Sequence, residues 1–337
     1  MQIVKSERRA MSSFSEIIGH NSIINSIKNS IVSNRVSHAY IFDGQAGMGK
    51  TMLAKAMAKT IQCEARGTDA CGCCLSCRTF ESNNHPDIFY VASSKKSIGV
   101  DDIRDQVIKN METPPYRYRY KVFIIGNADT MTPAAQNALL KTIEEPADFG
   151  LFLLLSENCA AFLPTIISRC VMFRLKPLPE TDVINYLADK NISNEQARFY
   201  SAFSQGNIGK AMRLASSETF AEMRETVISL AQSARRLDTP GLFAGYRVLE
   251  PYKDDIQELL DLFMLWYRDV IIMKETDSAR FLFQQDKQNE IYAEAQAAEM
   301  SSLYKKFDAI WQAKRNLKQN GNFQLTLEMM LLNLGDG

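Results

Sequence analysis

The sequence carries no surplus of charge of either sign, since 39 Lys and Arg residues balance 39 Asp and Glu residues. Proteins that bind nucleic acid on their own concentrate positive charge, so this balance argues against a zinc-dependent nucleic-acid-binding module. The chain also lacks an apolar run near the roughly 20 residues that a membrane-spanning helix needs. Arg8 and Arg9 precede no apolar segment, which argues against a secretion signal. We therefore expect a cytoplasmic protein with no membrane partner.

Two carboxylates are missing after one apolar segment. Residues Lys121 to Ile125 predict a central parallel strand that is covered on both faces. In P-loop ATPases such a strand ends in an acid that holds Mg²⁺, often followed by a Glu that orients the attacking water. Here Gly126 and Asn127 follow the strand, and Asp129 comes too late to replace them simply. We therefore expect the isolated chain to hydrolyse nucleotide weakly or not at all.

A complete phosphate-binding loop is present nevertheless. The short apolar segment from Ala39 is followed by a G-x-x-x-x-G-K-[ST] pattern and then by an amphipathic helix. Glycines let backbone N–H groups point at a polyphosphate, and the helix N-terminus favours the same anion. The lysine reaches the β- and γ-phosphates, and the threonine hydroxyl ligates Mg²⁺. The pattern predicts a site for ATP or ADP with Mg²⁺ made by Gly44, Gln45, Ala46, Gly47, Met48, Gly49, Lys50 and Thr51.

Five of the seven cysteines lie between residues 63 and 77. In a cytosolic chain such clustering indicates a metal rather than disulfides. Four thiolates can surround tetrahedral Zn²⁺ and leave no open position, which makes the site structural. The spacing predicts that Zn²⁺ is bound by Cys63, Cys71, Cys74 and Cys77, with Cys73 pointing away. An iron–sulfur cluster is the alternative that the same residues allow.

The 337 residues predict two or three domains. Strands and helices alternate up to the strand Val171 to Leu175, which predicts an α/β domain with a doubly wound parallel sheet. Pro177 and Pro179 mark a boundary, and nearly all of the chain beyond them is predicted to be helical. We expect a flexible extension over 1–13, a P-loop domain over 14–176 with the zinc insert at 63–77, a small helical domain over 177–215, and a larger helical domain over 216–337.

Two further patterns have a simple structural interpretation. His85-Pro86-Asp87 resembles the tripeptide of J-domain co-chaperones, but a strand follows it here, which favours a turn before that strand. Residues Tyr116 to Lys121 alternate aromatic and basic side chains. That alternation suits nucleic-acid stacking, and it also suits the approach to the next strand, which is the simpler interpretation.

Several motifs together carry a resemblance that covers nearly the whole chain from Phe14 onwards. They are His38-Ala39-Tyr40, the phosphate loop, the cysteine insert, His85-Pro86-Asp87, the segment from Asn137 to Thr142 with Glu144-Glu145-Pro146, and Ser168-Arg169-Cys170. With them the chain resembles the delta-prime subunits of the bacterial DNA polymerase III clamp loader, which are proteins of the AAA+ class.

The resemblance implies an AAA+ sheet domain, a small helical lid and a helical collar that joins a pentameric ring. It implies gamma/tau motor subunits and a delta subunit as partners, with contact to the sliding clamp and primer–template DNA through the complex. It also implies membership of the DNA polymerase III holoenzyme without independent polymerase activity. Arg169, flanked by Ser168 and Cys170, is expected to act as an arginine finger on the nucleotide of a neighbouring subunit. The alternative is an exposed arginine that caps a turn.

The gamma/tau motor subunit of the same complex is the alternative family member, because it shares the cysteine insert and the Ser-Arg-Cys motif. That motor has acids where this chain has Gly126 and Asn127, and an arginine where it has Gly209. Both departures favour the delta-prime subunit. The intact phosphate loop is a departure in the other direction, because many delta-prime subunits have a degraded one. A self-sufficient ATPase is a third hypothesis, and it predicts turnover by the isolated chain.

Overall fold

Within the residues that the structure describes, 13–233 and 245–335, five strands form one parallel sheet. The structure is a computed structural model, and residues 1–12 of the expected extension lie outside its described part. The strands follow the spatial order β2-β3-β4-β1-β5. They are β1 (Ala39–Asp43), β2 (Ile88–Val91), β3 (Lys121–Ile125), β4 (Gly150–Ser156) and β5 (Val171–Arg174).

Helices connect these strands and cover both faces of the sheet. They are α1 (Asn21–Val32), α2 (Lys50–Gln62), α3 (Leu75–Glu81), α4 (Val100–Ile103), a π-helical segment (Arg104–Ile108), α5 (Lys109–Met111), α6 (Pro133–Glu144) and α7 (Pro164–Ile167). Single 3-10 turns occur at Phe14–Glu16, Ala128–Thr130 and Cys159–Ala161. Residues 100–111 thus form a nearly continuous helix whose middle, the π-helical segment, is wound more loosely.

Alternating strand residues explain the two layers. Phe42 and Leu153 face the side where α1 and α2 pack, whereas Phe123 and Phe152 face the side of α4 and α6. Successive side chains of a strand point to opposite faces, so strands that are apolar at every position need helices on both sides. The doubly wound sheet expected from the sequence is confirmed. β5 forms an edge and ends at Arg174, one residue earlier than expected.

The chain divides into two units between Leu178 and Pro179. The second unit contains helices and no strand in its described residues, 179–233 and 245–335. Its helices are α8 (Glu180–Asp189), α9 (Asn194–Ser204), α10 (Ile208–Ala215), α11 (Glu218–Ser233), α12 (245–249), α13 (Ile256–Thr276), α14 (Gln288–Ala297), α15 (Met300–Lys318) and α16 (Phe323–Gly335). Three 3-10 turns lie at Glu250–Tyr252, Ala279–Phe281 and Gln285–Lys287.

Helix α13 is the centre of the second unit. Phe263, Trp266 and Tyr267 on it have no exposed surface, and Met330 of α16 packs in the same core, whereas Met329 is exposed. Phe199 of α9 shares this core with α11, so the further division expected near residue 215 stays a prediction. In the described residues we find no helix with both the length and the apolar character for a membrane span.

Candidate functional site

The phosphate loop connects the end of β1 to the start of α2. Gly49 is the residue before α2 and has φ of 93°, a left-handed conformation that side chains other than glycine adopt at a cost. Gly44 lies against Leu175, and a Cβ atom at Gly44 would be 3.1 Å from the Leu175 Cβ atom. Backbone conformation therefore favours glycine at position 49, and a side chain at position 44 would crowd Leu175. The exposed residues Gln45, Ala46 and Gly47 form the open part of the loop.

Lys50 folds back over this loop. Its Nζ donates to the carbonyl oxygens of Gly44 at 2.5 Å and Gln45 at 2.9 Å. The residue is 9% exposed, and burial lowers the pKa of Lys50, while nearby carboxylates counteract that shift. Thr51, the next residue of the motif, is exposed at the first turn of α2. The lysine is therefore held at the loop, where an anion bound by the loop would meet a fixed positive charge.

His20 supports the loop from the other side. Its Nε2 donates to the carbonyl oxygen of Met48 at 3.1 Å. Burial lowers the pKa of His20, so the ring is neutral at pH 7 and carries its proton on Nε2. This contact joins the segment before α1 to Met48, one of the buried residues of the motif.

Three carboxylates lie near Lys50. Glu157 follows β4 and has an oxygen 3.8 Å from Lys50 Nζ. The charges of Glu157, Asp129 and Asp43 all favour the protonated amine. Asp43 is the last residue of β1, and it accepts a hydrogen bond from the Cys159 N–H at 3.0 Å. Sequence reasoning missed Asp43 and Glu157, although a polar residue at the end of a buried parallel strand is a usable signal.

The segment after β3 has the composition that the sequence indicated. A Cβ atom at Gly126 would have no neighbour within 4 Å, and Asn127 is left-handed with φ of 48°. Asp129 lies in the 3-10 turn that follows, and its buried Oδ1 has no hydrogen-bond partner among the described residues. Asp129 is thus close enough to act electrostatically on Lys50, while the two positions directly after β3 carry no charge.

The four predicted thiols come together at the other end of α2. The sulfur atoms of Cys63, Cys71, Cys74 and Cys77 all lie within 4.8 Å of one another. The Sγ atoms of Cys63 and Cys74 are 3.9 Å apart, and those of Cys71 and Cys77 are 4.0 Å apart. Sulfur atoms around a tetrahedral Zn²⁺ with bonds of about 2.3 Å are separated by roughly 3.8 Å. The cluster could therefore hold a metal ion, and the thiol donor set fits zinc.

Backbone N–H groups point at these sulfurs. The N–H of Cys71 donates to Cys63 at 3.3 Å, that of Cys74 to Cys71 at 3.4 Å, and that of Cys77 to Cys74 at 3.4 Å. Such donors stabilise thiolates, the form that binds metal. Cys73 is exposed and is not one of the four clustered sulfurs, but its sulfur lies 3.6 Å from that of Cys71. The expectation that Cys73 points away is therefore wrong, because the tight turn between Cys71 and Cys74 keeps its side chain beside the cluster.

The His85-Pro86-Asp87 turn links the cysteine insert to another loop. His85 Nε2 lies 3.1 Å from the Ser76 hydroxyl of α3, and the ring packs on Tyr118 at 4.7 Å between centroids. Burial lowers the pKa of His85 to about 4, so it is neutral at pH 7. The buried Asp87 carboxylate accepts backbone N–H groups from Tyr116, Arg117 and Tyr118 at 2.6, 3.0 and 3.0 Å. The turn was expected, but these partners some 30 residues away were not.

Arg169 lies between α7 and β5, on the edge of the sheet. Its side chain is 39% exposed and forms an ion pair with Glu144, in which the Arg169 Nη2 atom lies 2.9 Å from a carboxylate oxygen. Nη1 donates to the Thr165 carbonyl oxygen at 3.1 Å, and the Ser168 hydroxyl donates to that same oxygen at 3.0 Å. Cys170 is half-buried, and burial raises its pKa to about 12.

The strand register separates Arg169 from the chain's own phosphate loop. β5 pairs in parallel with β1, with Val171 beside Tyr40 and Arg174 beside Asp43. Arg169 therefore lies where β1 begins, while the phosphate loop follows the point where β1 ends. The five residues of β1 separate these two ends by roughly 16 Å. The structure does not bring Arg169 together with the loop of the same chain.

Comparison with known proteins places these features in a family. Residues 19–179 match a family described as DNA polymerase III, delta subunit, and residues 219–336 match the C-terminal family of that subunit. The DNA polymerase III subunit delta' of Bacillus subtilis is 32% identical over 92% of this chain and 94% of its own length. The DNA polymerase III subunit tau of Escherichia coli is 34% identical over 54% of this chain. That match covers 28% of the tau subunit's own length.

Solved structures of lower similarity match along most of the chain. A gamma subunit-related protein of DNA polymerase III from Thermotoga maritima has 16% identity and a TM-score of 0.43, with 93% of this chain and 98% of that chain covered. The Bacillus subtilis DNA clamp loader delta protein has 14% identity and a TM-score of 0.33, and the match covers 93% of this chain and 100% of that chain. Scores of this size decide nothing about function.

Because the match to the Bacillus subtilis protein covers 92% of the chain, it extends over both units. The α/β AAA+ fold class with an all-helical second part, as expected from the sequence, is confirmed. The chain therefore belongs to the family of the delta-prime subunit of bacterial DNA polymerase III.

Proposed function

We propose that this chain is the delta-prime subunit of a clamp loader that places a sliding clamp on primed DNA during replication. The observation that carries the proposal is the 32% identity to a delta' subunit along 92% of the chain. Its partners are gamma/tau motor subunits and a delta subunit in a hetero-pentameric ring, which contacts the clamp and primer–template DNA. The ring works in the cytoplasm, and the second, helical unit supplies the collar contacts.

The phosphate loop binds ATP or ADP in this proposal. Backbone N–H groups between Gly44 and Gly49 surround the phosphates, Lys50 supplies a fixed charge, and the Thr51 hydroxyl holds Mg²⁺. Hydrolysis is weak, because Gly126 and Asn127 offer no carboxylate to hold the metal or orient water. The loop is therefore a binding site whose occupancy stabilises the unit rather than a motor site.

A structural Zn²⁺ completes the cysteine insert. Cys63, Cys71, Cys74 and Cys77 hold it, and the closed set of four thiolates leaves no coordination position for substrate. The ion ties the end of α2 to the start of α3. Its contribution is to folding rather than to catalysis.

Arg169 acts on the nucleotide of a neighbouring motor subunit. Its distance from the chain's own phosphate loop, its exposure and its position at a sheet edge support this role. The pair with Glu144 is exposed, and such pairs contribute only about 0–1 kcal/mol, so a phosphate group can replace the carboxylate. The guanidinium can then stabilise charge that develops on the transferring phosphoryl group.

The test is Arg169→Ala in the reconstituted complex. We expect ATP turnover at the adjacent motor site to fall by about 10³-fold or more, and clamp loading to fall with it, while zinc content and ring assembly persist. Glu144→Gln is the matched control, because it releases Arg169 without removing it, and turnover should stay unchanged. Unchanged turnover at every motor site in Arg169→Ala would contradict the finger role, and loss of the ring would assign Arg169 a structural role.

A gamma/tau-like motor is the second candidate, favoured by the intact phosphate loop and the match to the tau subunit. It predicts steady hydrolysis by the chain. Phosphate release near one turnover per second, on the order of an ordinary enzyme, would support this candidate over the first.

A further inference from the structure

A groove of about 710 Å³ lies on the first unit between the ends of α1 and α2 and the segment before β3. We call it the basic groove. Its charged lining residues are Arg66, Arg117, Arg119 and Glu64, so three guanidiniums share it with a single carboxylate. Tyr118 and Tyr120 line the same groove. The groove is thus locally positive and partly aromatic in a chain whose net charge is zero.

The segment that carries these side chains is not a strand. β3 begins at Lys121, and residues 116–119 form bends before it. Lys121 belongs to the sheet interior, because it is buried and donates to the carbonyl oxygen of Asn110 and the hydroxyl of Thr113. The alternation of aromatic and basic residues over 116–120 therefore has no explanation in strand geometry.

The backbone of this segment is held in place. The Asp87 carboxylate accepts hydrogen bonds from three consecutive backbone N–H groups, those of Tyr116, Arg117 and Tyr118. Gln62 at the end of α2 donates to the carbonyl oxygen of Tyr120. These hydrogen bonds hold the backbone of the segment in one conformation, which lowers the entropy that a ligand must remove on binding.

The side chains combine charge with flat aromatic surface. The Arg119 guanidinium lies 5.1 Å from the Tyr120 ring centroid, and that of Arg117 lies 5.8 Å from the Tyr118 centroid. Tyr116, which adjoins the groove along the chain, has 83% of its surface exposed. The Tyr116 ring therefore offers a flat aromatic face that a ligand of the neighbouring arginines can reach.

We propose that the basic groove binds single-stranded nucleic acid. The guanidiniums form paired hydrogen bonds with backbone phosphates, and the Tyr116 ring stacks on an unpaired base. The arrangement fits a single strand because its bases are free to stack, whereas those of a duplex already stack on one another. An acidic peptide would use the arginines but would leave the Tyr116 ring without a partner.

The groove is separate from the proposed nucleotide site and adjoins the proposed zinc site, because Cys63 is among its lining residues. The phosphate loop is at the start of α2 and the groove is at its end. Binding at the groove needs neither Lys50 nor Arg169. It goes beyond the proposed function, because it assigns strand binding to this chain alone.

The experiment is fluorescence anisotropy of a labelled 20-nucleotide oligo-dT strand with the full chain. We expect a dissociation constant on the order of micromolar near 50 mM salt, and a slope of log affinity against log salt of about −2 for three phosphate contacts. Arg66→Ala/Arg117→Ala/Arg119→Ala should lower affinity at least tenfold and bring the slope near zero. Tyr116→Ala should weaken binding by about tenfold, and Tyr116→Phe should not.

The matched control removes the same charge elsewhere. Arg198, Arg280 and Arg315 are exposed in the second unit, and Arg315 also lies near an aromatic ring, 5.8 Å from Trp311. The triple alanine variant at these three positions should bind the strand within twofold of the unaltered chain. Equal losses in both triple variants would overturn the groove assignment in favour of non-specific attraction. So would undetectable binding by the unaltered chain, or displacement of the strand by poly-glutamate at equal concentration of charge.

Discussion

Helix α2 carries a candidate ligand site at each end, and the two ends are built by opposite means. At its start, backbone N–H groups and Lys50 face an open loop suited to an anion. At its end, Cys63 and three further cysteines bring sulfur atoms within 4.8 Å of one another, as a cation requires. The candidate site at the first end depends mainly on backbone conformation with one charged side chain, whereas the site at the second end depends on side chains alone.

This difference determines which residues each site can lose and still bind its ligand. In the proposed function the loop binds nucleotide through main-chain atoms and Lys50, so binding does not need the acids that are missing at Gly126 and Asn127. A thiolate site has no such division, because each of four ligands is needed to close the tetrahedron. Binding can therefore be kept without catalysis at the first end, whereas the second end functions as a whole.

The largest effect is expected from removing a buried ligand at the second end. Cys77 has no exposed surface, and Cys77→Ser should lower zinc from about one ion per chain to nearly none. The metal links α2 to α3, so we expect a loss of about 3 kcal/mol, or roughly 6–12 °C in melting temperature. Metal analysis and calorimetric melting measure the two effects.

Two serine variants serve as controls for that change. Cys73→Ser alters an exposed thiol beside the cluster, and Cys159→Ser alters a half-buried thiol outside it. Both should keep the metal. If Cys73→Ser released the ion while Cys77→Ser retained it, the assignment of the four ligands would be wrong.

The next effect concerns the first end. Lys50→Met keeps the buried apolar stem but removes the charge held at the loop. Truncating one partner of a buried charged contact costs about 2–5 kcal/mol, so we expect ADP affinity to fall about 100-fold by titration calorimetry. Lys55→Ala, one turn further along α2, should leave the affinity unchanged. An unaltered affinity in Lys50→Met would mean that the loop does not use its lysine.

A smaller effect should follow from restoring the missing acids. A side chain at position 126 meets no neighbour within 4 Å, but position 127 is left-handed, which costs a Glu there about 1–2 kcal/mol. A positioned base contributes about 10²-fold or more, so Gly126→Asp with Asn127→Glu should raise Mg²⁺-dependent phosphate release about tenfold. Gly126→Asn with Asn127→Gln adds similar volume without charge and should not. Equal rates in both pairs would show that charge is not what this site lacks.

Sequence reasoning predicted the parts of this picture that depend on local pattern. The apolar segment of β3, the phosphate-loop motif before α2 and the cysteine spacing all act over a few residues, and each has its expected counterpart in the structure. Contacts between segments that are far apart in the chain have no local sequence pattern that predicts them. Strand order brings Asp129 near Lys50 and lets the Asp87 carboxylate accept hydrogen bonds from residues 116–118. Local periodicity does not encode strand order.

The smallest effect tests whether the two ends of α2 are independent. Its 13 residues make a helix about 20 Å long, well beyond the screening length of about 8 Å at 0.15 M salt. Four thiolates around Zn²⁺ carry on the order of two net negative charges, and loss of the ion with protonation of the sulfurs removes them. Coulomb repulsion of a nucleotide at that distance is a few tenths of a kcal/mol per pair of charges in water. Cys77→Ser should therefore bind ADP within about 1.2-fold of the unaltered chain at 0.15 M salt, and about threefold more tightly at 0.01 M, where screening extends to roughly 30 Å. Titration calorimetry at the two salt concentrations measures both values. A large loss of ADP affinity in Cys77→Ser at both concentrations would instead show that the metal supports the phosphate loop mechanically through α2.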